Sequence, residues 1–362
     1  AFLNGAGITI TGALSAGSLA GSTGVTVNAV ANGTGVGFTQ GALAISSAAG
    51  GVTITANSQT GIAYSSTGNI TATGQAITIT ATTTTAAGIS DTGTITGGAV
   101  TLTSTQSTST ATATPITATG AITANSLTVT GTGGASTTIV SLGAITINAG
   151  GSNITVTANN AAAGGNTGIT QTGAISDVAS GSNVSFISNN KINQTGAITL
   201  VANTSAAPAN ILYDTTKGTN ASSITTGILT VPSGSTSAIN YIVKTNGAII
   251  SVPGITVPGY ILLDNTCLGC STRATPTTAF LNGAGVTITG ALSAGTLAGT
   301  TGVTINSVAN GSGIGFAQGA NAISAGAGGV TITVNGQTGT GYSSSGSITA
   351  TGQVISITTT TT

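Results

Sequence analysis

Ile8-Thr9-Ile10-Thr11, Val25-Thr26-Val27-Asn28, Val52-Thr53-Ile54-Thr55 and Ile77-Thr78-Ile79-Thr80 open a series of short runs in which an apolar β-branched residue alternates with threonine or asparagine. The series continues with Val100-Thr101-Leu102-Thr103, Leu127-Thr128-Val129-Thr130, Ile145-Thr146-Ile147-Asn148 and Ile154-Thr155-Val156-Thr157. A period of two marks a strand with one face buried and the other in water. Gly, Asn and Ser gather between the runs and supply turns. Weaker runs, Asn69-Ile70-Thr71 and Lys191-Ile192-Asn193, fall between the strong ones. Most strong runs recur at steps between that from Ile8 to Val25 and that from Val25 to Val52. This spacing predicts an all-β fold, a right-handed parallel β-helix (β-solenoid) with two or three short strands in a coil of roughly 25 residues. The competing antiparallel β-sandwich needs an aromatic core, for which five Phe and five Tyr are too few.

The chain also repeats itself on a longer scale. AFLNGAGITITGALSAGSLAGSTGVTVNAVANG, from Ala1, returns from Ala279 as AFLNGAGVTITGALSAGTLAGTTGVTINSVANG. Ala1 to Thr84 overlays Ala279 to Thr362 without a gap, at an offset of 278. Of the 84 overlaid positions 64 are identical, so the two stretches are copies of one unit. The organisation expected is therefore a solenoid block over 1–205, a different module over 206–278, and the start of the next block over 279–362. The module holds five of the eight charges, both Cys and five of the six prolines. Its strands, such as Ile239-Asn-Tyr-Ile-Val-Lys and Tyr260-Ile-Leu-Leu, read as longer and less Thr-rich. Modified coils and a small β-cap joining two blocks both fit this texture.

Composition excludes more than it names. Only Lys191, Lys217, Lys244, Arg273, Asp91, Asp177, Asp214 and Asp264 are charged, and Glu, His, Met and Trp are absent. General acid–base and nucleophilic catalysis draw on His, Glu or clustered Asp and Lys, so the chain reads as non-enzymatic, with no catalytic residue and no cofactor. Four basic residues and zero net charge leave no footprint for nucleic acid. Thr, Ser, Asn and Gly interrupt every apolar stretch well short of the roughly 20 residues that a membrane span needs, so no span is expected. High apolar and low charged content, 39% against 2%, is the reverse of a disordered composition.

The two cysteines stand as Cys267-Leu268-Gly269-Cys270. Zinc takes four ligands, which two Cys and no His in one chain do not provide, and no βαβ pattern supports a redox motif. A local structural disulfide between Cys267 and Cys270 in an oxidising compartment is the expected use, with a bridge between chains as its rival.

Ile169-Thr-Gln-Thr-Gly-Ala-Ile175, Ile192-Asn-Gln-Thr-Gly-Ala-Ile198-Thr-Leu and Gly143-Ala-Ile-Thr-Ile147 carry a resemblance. They are similar to the repeat texture of filamentous-haemagglutinin-like large exoproteins, adhesins exported by two-partner secretion. The resemblance covers 1–205 and 279 onward. It implies an extracellular or cell-surface β-helix, export through an outer-membrane partner, and work in adhesion, cell linking or biofilm matrix. Its partners would be other repeats of the same chain, end to end, and a cell-surface or glycan receptor. The secretion domain of that family is not visible in this sequence.

Three sharper readings compete with a structural one. Outward Thr-X-Thr strands could form an ice-binding array, but the irregular strand spacing, and Thr runs such as Thr82–Thr85 read as corners, argue for a merely hydrated surface. Lateral packing of the same solenoids into a sheath or coat is a second alternative. A carbohydrate-cleaving β-helix needs carboxylates converging on one groove; Asp91 and Asp177 read instead as solvated surface charges. Four isolated Asp cannot build a calcium-binding nonapeptide series.

Overall fold

A computed structural model describes all residues except 1–4, 6, 18, 20–22, 136–137, 161–165, 219–221, 267–284, 310–311, 337 and 362. The chain forms two compact units, one reaching Val178 and the other running from Ala179. Among the described residues every secondary-structure element is a β-strand, and strand pairing is parallel, with one isolated antiparallel bridge between Asn246 and Thr266.

In the first unit each coil contributes three strands to three separate sheets. The first coil shows the pattern: two short strands, Ile8–Ile10 and Leu14–Ala16, then a long one, Gly24–Ala31. Down the first short sheet, Ile8, Phe38, Tyr64, Ile89, Ile116, Val140 and Ile169 stack one above another. The step from Ile116 to Val140 is the shortest coil of this stack, and that from Ile8 to Phe38 the longest. The solenoid architecture and the coil length follow the sequence reading. The strand assignment is finer than that reading. Ile8–Ile10 and Ile145–Ile147 look alike in sequence, yet the first lies in one short sheet and the second in the other, paired with Ile122–Ala124. Both weak runs are strands as well, Ile70–Ala72 and Lys191–Gln194.

The long strands carry the widest part of the core. Their burial alternates strictly, as in Gly24–Ala31 and Ala99–Gln106. Four inward rows result, the fourth of them mostly polar, with Ser58, Thr83, Gln106 and Asn160. Val25, Val52, Ile77, Val100, Leu127 and Ile154 form the first; Val27, Ile54, Ile79, Leu102, Val129 and Val156 the second. The third is small: Ala29, Ala56, Ala81, Ser104, Gly131 and Ala158. Gly131 shows why, because a Cβ there would lie 2.8 Å from Val140 Cγ2 and 2.9 Å from Ile139 Cγ2. At this corner the short strand closes over the long one and leaves no room for a branched side chain.

Glycine at the entry to the long strand is required by geometry. Gly24 has φ +80°, and a Cβ on it would fall 2.0 Å from the Gly51 carbonyl oxygen. Its counterpart one repeat later, Gly302, has φ +76° and would meet the Gly329 oxygen at 2.1 Å. Only a residue without Cβ takes this turn without cost.

The second unit uses the same plan. Ile192, Ile224, Ile250, Val286, Phe316 and Tyr342 stack in its first short sheet. Its long strands include Ala209–Asp214, Ile239–Lys244 and Ile261–Asp264, within the 206–278 segment. These strands hold six, six and four residues, shorter than the eight of Gly24–Ala31, so the expectation of longer strands is corrected. They looked long because apolar residues stand at outward as well as inward positions: Leu212, Ile242 and Leu262 form an outward row. An asparagine ladder runs beside it. Asn210 Nδ2 donates to Asn183 Oδ1 at 3.3 Å, and Asn240 Nδ2 to Asn210 Oδ1 at 3.0 Å.

Removing a core side chain from the second inward row leaves a cavity that the ladders above and below prevent from closing. Ile79→Ala should therefore cost about 2–5 kcal/mol, whereas Thr80→Ala, which changes an outward side chain, should stay within about 0.5 kcal/mol. Urea unfolding of the two variants measures the difference; equal losses would contradict the inward and outward assignment.

Candidate functional site

The most chemically distinctive place in the fold is inside it. In the strand Phe38–Gln40 the first and third residues point inward, so Gln40 enters the core beside Phe38. Its Nε2 donates to the carbonyls of Leu43 at 3.0 Å and Asn69 at 3.1 Å. Its Oε1 accepts from the Tyr64 hydroxyl, one coil on, at 3.2 Å. The Phe38 and Tyr64 rings stack with centroids 5.6 Å apart. A buried amide that finds partners for both ends clamps the corner backbone of two coils at once, and a satisfied buried polar group is the condition for tolerating it there.

The same device recurs. One repeat later, Gln318 Nε2 donates to Asn321 O at 2.7 Å and Ser347 O at 3.1 Å, and its Oε1 accepts from the hydroxyls of Tyr342 and Ser344. Phe316 and Tyr342 stack at 5.5 Å. A third version pairs the Tyr213 hydroxyl with Gln194 Oε1 at 2.8 Å, where Phe186 stacks on Tyr213 and Tyr241 lies tilted against it. Sequence reasoning missed these clamps. The available signal was a glutamine at an inward position of a short strand, in Phe38-Thr-Gln-Gly41 and again in Phe316-Ala-Gln-Gly319.

Asp91 sits next to the first clamp. It occupies the third, inward position of Ile89–Asp91, paired across from Ser66, and it is 1% exposed. Its Oδ1 accepts from the Gly93 N–H at 2.8 Å, while Oδ2 is buried with no hydrogen-bond partner. Burial pushes its carboxyl up to about 7, opposed by the Gly93 N–H and by the nearby Ser66 and Tyr64 hydroxyls. Burial, reinforced by the neighbouring Asp91 charge, raises the Tyr64 phenol well above its ordinary range. Asp177 is 5% exposed and lies in the other short sheet, in Ile175–Asp177. The reading of both as solvated surface charges is overturned: each takes an inward position of a strand. Nor do they converge on one groove, since they belong to different sheets.

Among the described residues no three His, Cys, Asp or Glu side chains gather as metal ligands, and no helix is long and apolar enough to cross a membrane. Cys267 and Cys270 lie outside the described residues. A shallow hollow of about 360 Å³ in the second unit is lined by Val231, Pro232, Ser235, Thr256 and Pro258, among others, with no titratable side chain. At outward positions of that unit's long strands, Asp214, Lys244 and Asp264 follow one another in register, the last of them covered. Asp214 and Asp264 each use Oδ1 to accept from the backbone N–H and hydroxyl two residues on, Thr216 and Thr266.

The fold and these repeated clamps define a class, the tandem-repeat parallel β-solenoid. No protein-family model matches the chain, and neither the curated proteins nor the solved structures contain a match to it.

The Asp91 environment gives stability a pH dependence with a definite sign. The folded-state value, about 7, stands above the unfolded value of about 3.9, so the folded chain binds the proton more tightly. Its contribution is fully present below pH ~4 and is lost as pH rises towards ~7, by up to about 4 kcal/mol. Unfolding free energies measured from pH 4 to 7 should fall in the wild type and flatten in Asp91→Asn; an equal slope in both would refute the assignment.

Proposed function

We propose that this chain is a segment of an extracellular structural filament or adhesin, working in surface adhesion, cell linking or biofilm matrix. The observation that carries the reading is how closely the long repeat restores internal contacts. Phe316, Gln318 and Tyr342 make the stack and the amide clamp that Phe38, Gln40 and Tyr64 make one repeat earlier. A solenoid whose coils contact only their neighbours lengthens by repetition without any new interface. A nearly charge-free, hydroxyl-covered surface suits a passive fibre. The resemblance to filamentous-haemagglutinin-like exoproteins supports secretion to the cell surface through an outer-membrane partner.

End-to-end association is the partner interaction this reading favours. Within the chain each coil covers the one before it, as Val100 and Leu102 cover the fully buried Ile77 and Ile79. A further repeat would continue the same ladder and bury apolar surface in the same way. A cell-surface or glycan receptor would then be met along the flanks, where Asp214 and Lys244 supply the charge. Lateral packing into a sheath is the second reading; the flat hydroxyl rows favour it.

Electron micrographs of the native protein should show thin unbranched filaments, and oriented samples should diffract at about 4.7–4.9 Å along the filament axis, because strands lie across it. Discrete globular particles with no axial reflection would overturn the filament reading. Axially ordered filaments that bundle side by side at all concentrations would select the sheath.

A further inference from the structure

The outward side of the long-strand sheet in the first unit carries a grid that the filament reading does not use. Across six coils, Thr26, Thr53, Thr78, Thr101, Thr128 and Thr155 stand in one row. A second row runs from Asn28 through Thr55 and Thr103 to Thr157, and a third from Val30 through Thr82 to Asn159. Fourteen of the eighteen positions are threonine. The pairing holds without a register shift through all six coils, although the coils differ in length, because the corners absorb the difference. The irregular spacing that spoke against a lattice in the sequence therefore does not reach this face. Thr82 and Thr83 also prove to be strand residues, the end of Ile77–Thr83, and not a corner.

We propose that this face binds ice, a lattice of water molecules, through its rows of threonine methyl and hydroxyl groups. The rows repeat at about 4.7–4.9 Å from coil to coil and about 6.6 Å along each strand, giving a patch of roughly 24 Å by 13 Å. Hexagonal ice repeats its oxygen positions at an interval close to the coil-to-coil spacing. Threonine is stiff at χ1, which limits how far methyls and hydroxyls can turn along a row. Among the described residues none of the fourteen hydroxyls has a hydrogen-bond partner within the protein. Their hydrogen-bonding capacity is thus turned to water, while the methyls between them order it.

Other occupants fit less well. The grid holds no aromatic ring on which a sugar face could stack, the large rings Tyr64 and Phe38 being fully buried. It holds no charge to pair with an ionic partner and, in Val30, a single apolar side chain, too little for a second copy to bury. In the second unit the equivalent rows are interrupted by Leu212, Ile242 and Leu262 and by Asp214, Lys244 and Asp264, whose strong hydration or apolar bulk would break a water lattice. The site is accordingly a property of the first unit, and it stands or falls independently of filament formation.

The test is incorporation of the full chain into slowly growing ice, with folding of every variant checked by circular dichroism. The wild type should be carried into the ice. Thr103→Lys and Thr128→Lys, in the middle of the grid, should lose this, while Thr123→Lys, outward on a short sheet of the same unit, should keep it. Exclusion of folded wild-type chain from the ice would overturn the proposal, and so would equal loss in Thr123→Lys. Retention on crystalline cellulose or chitin, or concentration-dependent self-association abolished by Thr103→Lys, would also overturn it if the chain stays out of ice.

Discussion

The in-register parallel ladder between successive coils is the constraint on which the rest depends. Each long strand donates and accepts along its whole length with the coil before and the coil after, so each side chain is held above its equivalent. An inward row must then be tolerable as a column. Aliphatic columns are the simplest solution, since every added Ile or Val buries about 1.5–3 kcal/mol worth of apolar surface and touches a partner of the same shape. Aromatic columns work where the rings stack, as Phe186 does on Tyr213.

Polar residues enter such a core most readily where the ladder supplies their partners. Gln40, Gln194 and Gln318 succeed because a primary amide offers donors and an acceptor, and the corner presents carbonyls on one side and a tyrosine hydroxyl on the other. Ser104 Oγ, Asn190 Nδ2 and Asp91 Oδ2 depart from this, buried without a partner; Asp91 is the charged case, with its other oxygen satisfied. Burial dominates its shift, so the carboxyl keeps its proton to higher pH than an exposed Asp does.

The outward rows obey the same stacking rule with a different outcome. Identical residues facing water become periodic surfaces, and the chemistry of a row sets what the flank offers. Threonine rows give a neutral hydroxyl grid in the first unit. The Asp214, Lys244 and Asp264 row, beside Leu212, Ile242 and Leu262, gives the second unit a locally charged and apolar flank. A single architecture thereby carries a passive surface and a more interactive one, differing only in what occupies alternate positions.

Much of this was legible in the residues themselves. The period-two alternation in Val52-Thr-Ile-Thr and its relatives determines strands buried on one face, their recurrence determines stacking, and the return of the Ala1 stretch at Ala279 determines that the coils come round again. These are local properties, written in consecutive side chains. Which of three sheets an Ile-Thr-Ile run joins was not legible, because Ile8–Ile10 and Ile145–Ile147 present the same pattern and only the corners assign them. Nor was the inward aim of Gln40 and Asp91 or the unbroken threonine grid, since both depend on register between residues a whole coil apart, as Phe38 is from Tyr64 and Ile116 from Val140. Register is settled by the hydrogen-bonded ladder and by how each corner takes up its extra residues, and that is decided in three dimensions alone.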